Sequence, residues 1–315
     1  MDTLRLATRG SDLATTQSGW VADRVQEATG FASQLEIVKT IGDQRTDVRL
    51  ADVGSIGLFT KEVQDAVLEG RADYAVHSLK DLPASQTPGL VLAAVPVREE
   101  TRDWLVIRPD AVDADREGPL PLKNGAIVGT SAARRLAFLR HFVPDCEDRL
   151  LRGNVPTRLQ KLADGEYDAI LLAGAGLRRL DLDLTAFHVE KLDPWVWPGA
   201  PGQGALALEC REDDVRTRDL LAKIHNPAGA ESVEVERSLL RALGGGCGLP
   251  LGATASREDA ELRLVAALGP TDPEGNLPEP TPGVAMSLTC VEMRGPEIDG
   301  LVEAAFQALC RPEEV

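Results

Sequence analysis

From Leu4 onward, short apolar runs alternate with stretches whose apolar residues recur every three or four positions, separated by polar or glycine-bearing turns. The runs predict strands at Leu4–Thr8, Leu35–Thr40, Tyr74–His77, Leu90–Val95, Trp104–Ile107, Ala126–Gly129 and Ala169–Ala173. The intervening periodicity predicts helices at Asp12–Ala28, Thr60–Glu69, Ala132–Phe142, Val155–Ala163 and Ala175–Leu180. Strand, turn and helix in repetition indicate an α/β fold with largely parallel sheets. Thr60 is expected to cap its helix, with Glu62 in the first turn, and Asn154 to cap one that carries Pro156 in its first turn.

Two breaks interrupt the rhythm. The first lies near Arg98–Asp103, where the strand pattern restarts, so the Pro- and Gly-bearing stretch Asp110–Gly125 is a loop inside a second lobe. The second is Pro194-Trp-Val-Trp-Pro-Gly-Ala-Pro201, where the chain is expected to cross back to the first lobe. Beyond it the pattern becomes α+β: a helix at Ala230–Leu243, strands at Leu262–Leu268 and Val284–Met293, a hairpin loop at Thr271–Gly283 and a helix at Pro296–Leu309. The expected domains are lobe 1 from residues 1–100 with 200–220, lobe 2 from 101–199, and a small C-terminal domain from 221–315. In open α/β sheets the carboxyl ends of the strands face the ligand cleft, which would direct Arg9 and Ser11 to the same space as Arg134, Arg135, Arg152 and Arg158.

Charge sharpens this picture. The chain carries 50 acidic against 34 basic residues, a formal net charge of −16, yet arginines gather at two predicted strand-to-helix turns, Gly129-Thr-Ser-Ala-Ala-Arg134-Arg135 and Arg152-Gly-Asn-Val-Pro-Thr-Arg158. Only 7 of the 34 basic residues are lysine, so most positive charge sits on the fork that matches a carboxylate or phosphate. Combined with unpaired N–H groups at helix starts, this predicts a polyanionic ligand, with pairing to neighbouring acids on a solvated face as the alternative. The acidic balance argues against nucleic acid and anionic membranes. There is no apolar run of about 18 residues and no signal-peptide core after Met1, so a cytoplasmic protein is expected, and with no large apolar stripe a monomer. Five scattered cysteines without a Cys-x-x-Cys pair indicate neither a disulfide framework nor a zinc site, and no metal is expected.

Three short motifs remain. His77-Ser-Leu-Lys80-Asp81-Leu-Pro83 puts a cation and a carboxylate at a strand end, either a surface ion pair in a turn or, in an arginine-rich site, the one negative group able to receive an N–H or stabilise a developing cation. His77 reads as a hydrogen-bonded structural residue rather than a base. Leu243-Gly-Gly-Gly-Cys247-Gly-Leu-Pro250 surrounds a thiol with glycines after a helix; it is either a helix cap with an incidental cysteine or an accessible thiol suited to a permanent covalent attachment. Gly199-Ala-Pro-Gly-Gln-Gly204 lacks the Gly-Lys-Ser/Thr ending of a phosphate loop.

Taken in order, Leu6-Ala-Thr-Arg9-Gly-Ser11, Gly57-Leu-Phe-Thr-Lys-Glu62, Ala75-Val-His-Ser-Leu-Lys-Asp-Leu-Pro83, the Gly129–Arg135 segment, Leu151-Arg-Gly-Asn-Val-Pro-Thr-Arg-Leu159, Gly202-Gln-Gly-Ala205 and Gly245-Gly-Cys247 resemble the porphobilinogen deaminase (hydroxymethylbilane synthase) family through nearly the whole chain. The resemblance implies two periplasmic-binding-protein-like (type II) lobes with a cleft between them and a C-terminal α+β domain. It implies a dipyrromethane cofactor attached to Cys247, made from two porphobilinogen units and extended by four more before water releases linear hydroxymethylbilane. By the same resemblance Asp81 is the catalytic residue, receiving pyrrole N–H groups and stabilising positive charge as ammonia departs. Lys80, Asp81, Thr130, Ser131, Arg134, Arg135 and Arg158 would hold the cofactor, and Arg9, Ser11, Phe59, Arg152, Arg158 and Arg179 the substrate.

One departure stands out: relatives with Gly-Gly-Lys-Gly-Leu-Phe at this point carry a lysine where Gly54-Ser-Ile56-Gly-Leu-Phe59 has isoleucine, which supplies no charge. The implied partner is porphobilinogen, with transient contact to the next pathway enzyme as a further expectation. Two other classes compete. A solute-binding protein would use the same two lobes, but it would need export and has no use for Cys247. A cysteine hydrolase would need a base, and the chain has only four histidines, none close to Cys247 in sequence.

Overall fold

The computed structural model describes residues 3–40, 60–246, 248–281 and 283–310. Along the chain the elements are β1 (Thr3–Arg9), α1 (Asp12–Thr29), β2 (Ala32–Val38), α2 (Lys61–Leu68), β3 (Tyr74–Ser78), β4 (Leu90–Ala94), β5 (Asp103–Ile107), β6 (Ile127–Thr130), α3 (Ala133–Phe142), β7 (Glu147–Leu150), α4 (Val155–Ala163), β8 (Ala169–Ala173), α5 (Gly174–Arg179), β9 (His188–Lys191), β10 (Leu206–Arg211), α6 (Val215–Leu221), α7 (Pro227–Ala242), β11 (Leu251–Glu258), β12 (Glu261–Leu268), β13 (Thr289–Gly295) and α8 (Ile298–Cys310). The chain forms two compact units, one from Met1–Glu99 with Gly202–Glu234 and one from Glu100–Pro201 with Val235–Val315.

The first unit is built on a five-stranded sheet of order β2-β1-β3-β10-β4. β1 runs parallel to β2 and β3, while β10 runs antiparallel to β3 and β4. The second unit contains a sheet of order β7-β6-β8-β5-β9, with β6 parallel to β7 and β8, and β5 antiparallel to β8 and β9. Numbering strands within each sheet, both read 2-1-3-n-4, where n is contributed by a crossing segment and opposes the rest. That is the type II periplasmic-binding-protein topology. A separate antiparallel sheet, β11-β12-β13, belongs to the second unit and shares an apolar core with α8 and the C-terminal half of α7, through Val235, Leu239, Leu264, Leu301 and Ala305.

Local chemistry sets the helix ends nearest the sheet edges. Ser11 caps α1 by accepting from Ala14 N–H at 3.3 Å, and the helix stops at Gly30 in the left-handed region (φ +78°), whose N–H returns to Gln26. Asn154 caps α4, as predicted, by accepting from Thr157 N–H at 2.9 Å. Thr60 differs from expectation. Its backbone already lies in the helical region (φ −115°, ψ −28°), and its side chain makes no cap bond; an N-cap hydroxyl reaches the first-turn N–H groups from extended backbone.

Several boundaries moved for identifiable reasons. β2 begins and ends earlier than Leu35–Thr40, because its ladder follows β1 from Thr3↔Ala32 to Arg9↔Val38 and stops where β1 stops. β13 starts at Thr289 rather than Val284: Met286 and Leu288 instead pack against the core around Phe138 and Trp197, and Met286 N–H donates to Arg140 O at 3.1 Å. The short strands β7 and β9 were not predicted, since Glu-Asp-Arg-Leu and His-Val-Glu-Lys lie at sheet edges and have no apolar alternation to show. β10, Leu-Ala-Leu-Glu-Cys-Arg, is rich in helix formers and was also missed; its place between β3 and β4 makes it a strand. β11 and α6 were likewise unpredicted.

Candidate functional site

At the carboxyl edge of the first sheet, β1 and β3 end side by side, their register running Leu6↔Tyr74 and Ala7↔Ala75. β1 delivers Arg9 and then Ser11 at the start of α1. β3 delivers Ser78, whose Oγ accepts from Gln17 Nε2 at 3.0 Å, and then a single 3-10 turn, Leu79–Asp81. Leu79 is fully buried and its N–H donates to Ala205 O at 3.0 Å, so the turn is pinned by its apolar member while Asp81 stays exposed. Because β10 is antiparallel to β3, the residues preceding it arrive at this same edge. They include Gln203, 1% exposed between Gly202 and Gly204, both of positive φ (+77° and +84°). Lys80 Nζ approaches Gln203 Oε1 at 3.5 Å, and the Gln203 carbonyl accepts from Arg98 Nε at 2.8 Å. Two left-handed glycines in three residues are what turn this amide inward.

His77 turns away from that chemistry. Its Nε2 lies 3.2 Å from Glu209 Oε2 but off the line of a hydrogen bond, and Gln64 Nε2 donates to the same carboxylate at 2.8 Å, all three residues being buried. The structural reading of this histidine is the one the geometry supports.

The second sheet repeats the arrangement with different side chains. β6 ends at buried Thr130, whose Oγ1 accepts from Ala132 N–H at 3.4 Å, and continues through Ser131 into α3 with Arg134 and Arg135 in its first turn. Neighbouring β7 leads through Arg152 into α4 with Arg158. Antiparallel β5 begins at this edge, with Asp103 opposite Ala173 of β8. The fully buried Asp103 carboxylate accepts from Arg134 Nη1 at 2.8 Å, from Arg135 Nη2 at 2.8 Å and from Trp197 Nε1 at 2.9 Å. Arg134 Nη1 also donates to Pro198 O, and Arg135 Nη1 to Leu171 O, each at 3.0 Å. Arg158 Nε donates to Gly153 O at 2.8 Å.

The electrostatics are those of a crowded cationic site. Burial alone would raise the Asp103 carboxyl, but the two guanidinium groups hold it well below the usual range. Burial lowers Arg134, and neighbouring Arg135 lowers it further against the pull of Asp103. Arg158 is pushed down to about 10, by burial first and then by Arg135 and Arg152, so it lies within the field of both. Cations in the first turn of α3 oppose the helix dipole, and that turn has no acid to offset them. Two arginines share one buried carboxylate, Arg158 lies in the field of Arg135, and Arg135 Nε is buried without an acceptor among the described residues, a donor set chemically suited to carboxylates or phosphates.

The structure thus groups Arg9, Ser11, Lys80 and Asp81 at one sheet edge and Thr130, Ser131, Arg134, Arg135, Arg152 and Arg158 at another. Arg179 closes α5 after β8, a full helix away from the strand end. Phe59, Ile56 and Cys247 lie outside the described residues. Among the other cysteines, burial pushes the Cys146 and Cys210 thiols up to about 11 and also raises Cys290, which makes them poor nucleophiles. Asp103 and Gln203 were not predicted as site residues. The available signals were an acid opening the wholly apolar run Trp104–Ile107, and a polar residue held between two glycines.

The comparisons with known proteins agree over both units. A family model described as porphobilinogen deaminase, dipyrromethane cofactor binding domain, matches residues 4–219, and one described as porphobilinogen deaminase, C-terminal domain, matches residues 230–277. The porphobilinogen deaminase of Syntrophobacter fumaroxidans is 45% identical over 274 residues, covering 86% of this chain and 85% of the relative. That of Gloeobacter violaceus is 44% identical over 260 residues, covering 82% and 78%. Among solved structures, the VFT2 domain of Bordetella pertussis BvgS aligns with a TM-score of 0.40 at 17% identity, covering 75% of this chain and 92% of that one, a likeness that bears on neither function nor site. With a cofactor-domain match through both five-stranded sheets and relatives at 44–45% identity over most of their length, the chain belongs to the porphobilinogen deaminase family.

Proposed function

We infer that this chain is a hydroxymethylbilane synthase, a transferase of tetrapyrrole biosynthesis that condenses four porphobilinogen units with loss of ammonia and releases the linear product by hydrolysis. The observation that carries the reading is the arginine cluster on Asp103 in a chain of net charge −16. Porphobilinogen bears an acetate and a propionate, and each added ring brings two more carboxylates, so guanidinium forks are the donors such a chain requires. Family membership decides against the solute-binding and cysteine-hydrolase alternatives.

The dipyrromethane group fits these residues: its carboxylates would meet the excess positive charge, and one would supply an acceptor for buried Arg135 Nε, which has none among the described residues. Cys247 is its attachment point, and Arg134, Arg135, Arg158, Lys80, Thr130 and Ser131 would hold it. When bound, it supplies the nucleophilic pyrrole carbon to which the first unit is joined. Asp81 acts on the incoming porphobilinogen. Its exposed carboxylate, fixed by the buried Leu79, accepts the pyrrole N–H and stabilises the positive charge that grows as the ammonium group leaves. Arg9, Ser11, Arg152, Arg158 and Arg179 bind substrate carboxylates, and Phe59 covers the ring. Ile56 contributes no charge, which leaves the arginines to carry anion recognition.

No helix among the described residues is long and apolar enough to cross a membrane. We place the protein in the cytoplasm as a monomer that passes its product to the next enzyme of the pathway. Incubation with porphobilinogen tests the reaction: ammonia and a linear tetrapyrrole should appear in a ratio of four to one, and porphobilinogen left unconsumed would overturn the reading.

A further inference from the structure

We propose that Asp103 is a positioning residue for anion binding: it holds the guanidinium groups of Arg134 and Arg135 beside each other, so that Arg135 Nε–H is left to receive a carboxylate of the dipyrromethane group. The proposal rests on the deaminase reading above.

The geometry gives each atom a task. Asp103 Oδ1 takes Arg135 Nη2 and Oδ2 takes Arg134 Nη1, so the carboxylate spans two side chains from adjacent positions on one helix turn. Trp197 Nε1 donates to Oδ2 from a third direction. The fully buried Trp197 ring is itself fixed by Phe138, edge-on at 5.2 Å between centroids, and by Phe142, stacked at 5.7 Å. Asp103 is therefore a rigid reference point rather than a mobile counter-ion. Arg135 spends Nη1 on Leu171 O and Nη2 on Asp103, and its Nε stays buried without an acceptor among the described residues. A buried donor left unpaired is costly, and an arriving carboxylate relieves that cost.

Charge makes the same point. Two adjacent guanidinium groups at a helix start repel each other and oppose the dipole, so without Asp103 they would separate. One carboxylate for two arginines offsets the repulsion without consuming the site's charge, and Arg158 lies within the field of Arg135. Asp103 touches no reacting group in this arrangement. Its effect should fall on how tightly the carboxylates are held while the cofactor is assembled, not on the limiting rate of that assembly.

The test uses full-length protein made in cells that cannot synthesise porphobilinogen. It is incubated with porphobilinogen, and the adduct on the protein is followed by intact mass. For Asp103→Asn the porphobilinogen concentration giving half the maximal loading rate should rise about tenfold or more, while the limiting rate changes less than about threefold. A merely structural role would reduce the loadable fraction and leave the half-saturating concentration in place. If Asp103→Asn does not fold, Asp103→Glu keeps the charge but displaces the carboxylate, and it should raise the half-saturating concentration by about threefold or more. An unchanged value in a folded variant, with normal loading of the unmutated protein, overturns the proposal alone. Unmutated protein that gains no adduct overturns the deaminase reading and this proposal with it.

Discussion

In the first five-stranded sheet the strand that opposes its neighbours, β10, brings a neutral amide, Gln203, to the edge where Lys80 and Asp81 stand. In the second sheet the corresponding strand, β5, brings the carboxylate of Asp103 to Arg134 and Arg135. The scaffold is the same: order 2-1-3-n-4, a capped helix leaving the carboxyl edge (Ser11 on α1, Asn154 on α4), and one polar group carried in from a crossing segment. What differs is burial and charge. Asp81 is exposed on a turn anchored by Leu79, whereas Asp103 is fully buried and held by Arg134, Arg135 and Trp197. One topology thus provides a carboxylate available to a substrate and another that organises cations. The distinction lies in which residues occupy equivalent edges.

The sharpest way to break the comparison is to remove each carboxylate in turn. Asp81→Ala should lower turnover by about 10³-fold, some 4 kcal/mol of transition-state stabilisation, while thermal unfolding stays within about 0.5 kcal/mol of the parent because the side chain is exposed. Near-normal product formation would remove Asp81 from the reaction. Asp103→Ala should do the reverse, costing about 3 kcal/mol or more of stability by leaving two buried guanidinium groups without their counter-charge. A variant as stable as the parent in denaturant unfolding at pH 7 would contradict the burial argument.

Acid sharpens the same contrast. The folded-state pKa of Asp103 lies well below the ordinary 3.8, so its stabilising contribution is fully present above that value and is withdrawn as pH falls from there through the depressed folded pKa. The stability gap between the parent and Asp103→Ala should therefore be widest above about pH 5 and close progressively in stronger acid. A gap that stayed constant down to acid unfolding would place the stabilisation elsewhere.

Smaller effects separate binding from folding at the arginine edge. Arg158 is held down to about 10 by burial and by like charges, which means the folded protein pays for its positive form. Arg158→Gln should leave the melting temperature unchanged or slightly raised while weakening porphobilinogen use by about tenfold. A clear fall in melting temperature would make this arginine structural. Least of all, Asn154→Ala should cost about 1 kcal/mol, and Ser11→Ala less, in line with cap bonds of 2.9 and 3.3 Å. Equal losses at the two caps would show that bond length is not the controlling feature.

Apart from the polar edge strands β7 and β9, the strands that share one direction in each sheet were legible in the sequence, because they are short apolar runs set among periodic helices. Ala169–Ala173 and Val155–Ala163 coincide with β8 and α4. Arg134, Arg135, Arg152 and Arg158 stood out as site candidates at two strand-to-helix turns, whereas Asp81 could be read from its spacing as a surface ion pair and was singled out by the family resemblance. What escaped was everything delivered against the grain. Trp104–Ile107 was seen as a strand, but its antiparallel direction, which alone brings Asp103 to the arginine edge, depends on pairing with β8 and β9. β10 was hidden by its Leu, Ala and Glu content, and Gln203 with it. Local pattern reports whether a segment is a strand, whereas direction and neighbours are set by partners far away in sequence.

If the chain assembles and keeps a covalent primer on Cys247, the primer is visible in the intact mass of the protein. The purified protein and its Cys247→Ser variant are weighed before and after incubation with porphobilinogen. The parent, once exposed to porphobilinogen, should exceed its sequence mass by two porphobilinogen units less two ammonia molecules, and the variant should never gain this excess. A parent protein that stays at its sequence mass after incubation, or a Cys247→Ser variant that carries the same adduct, would contradict a primer on Cys247.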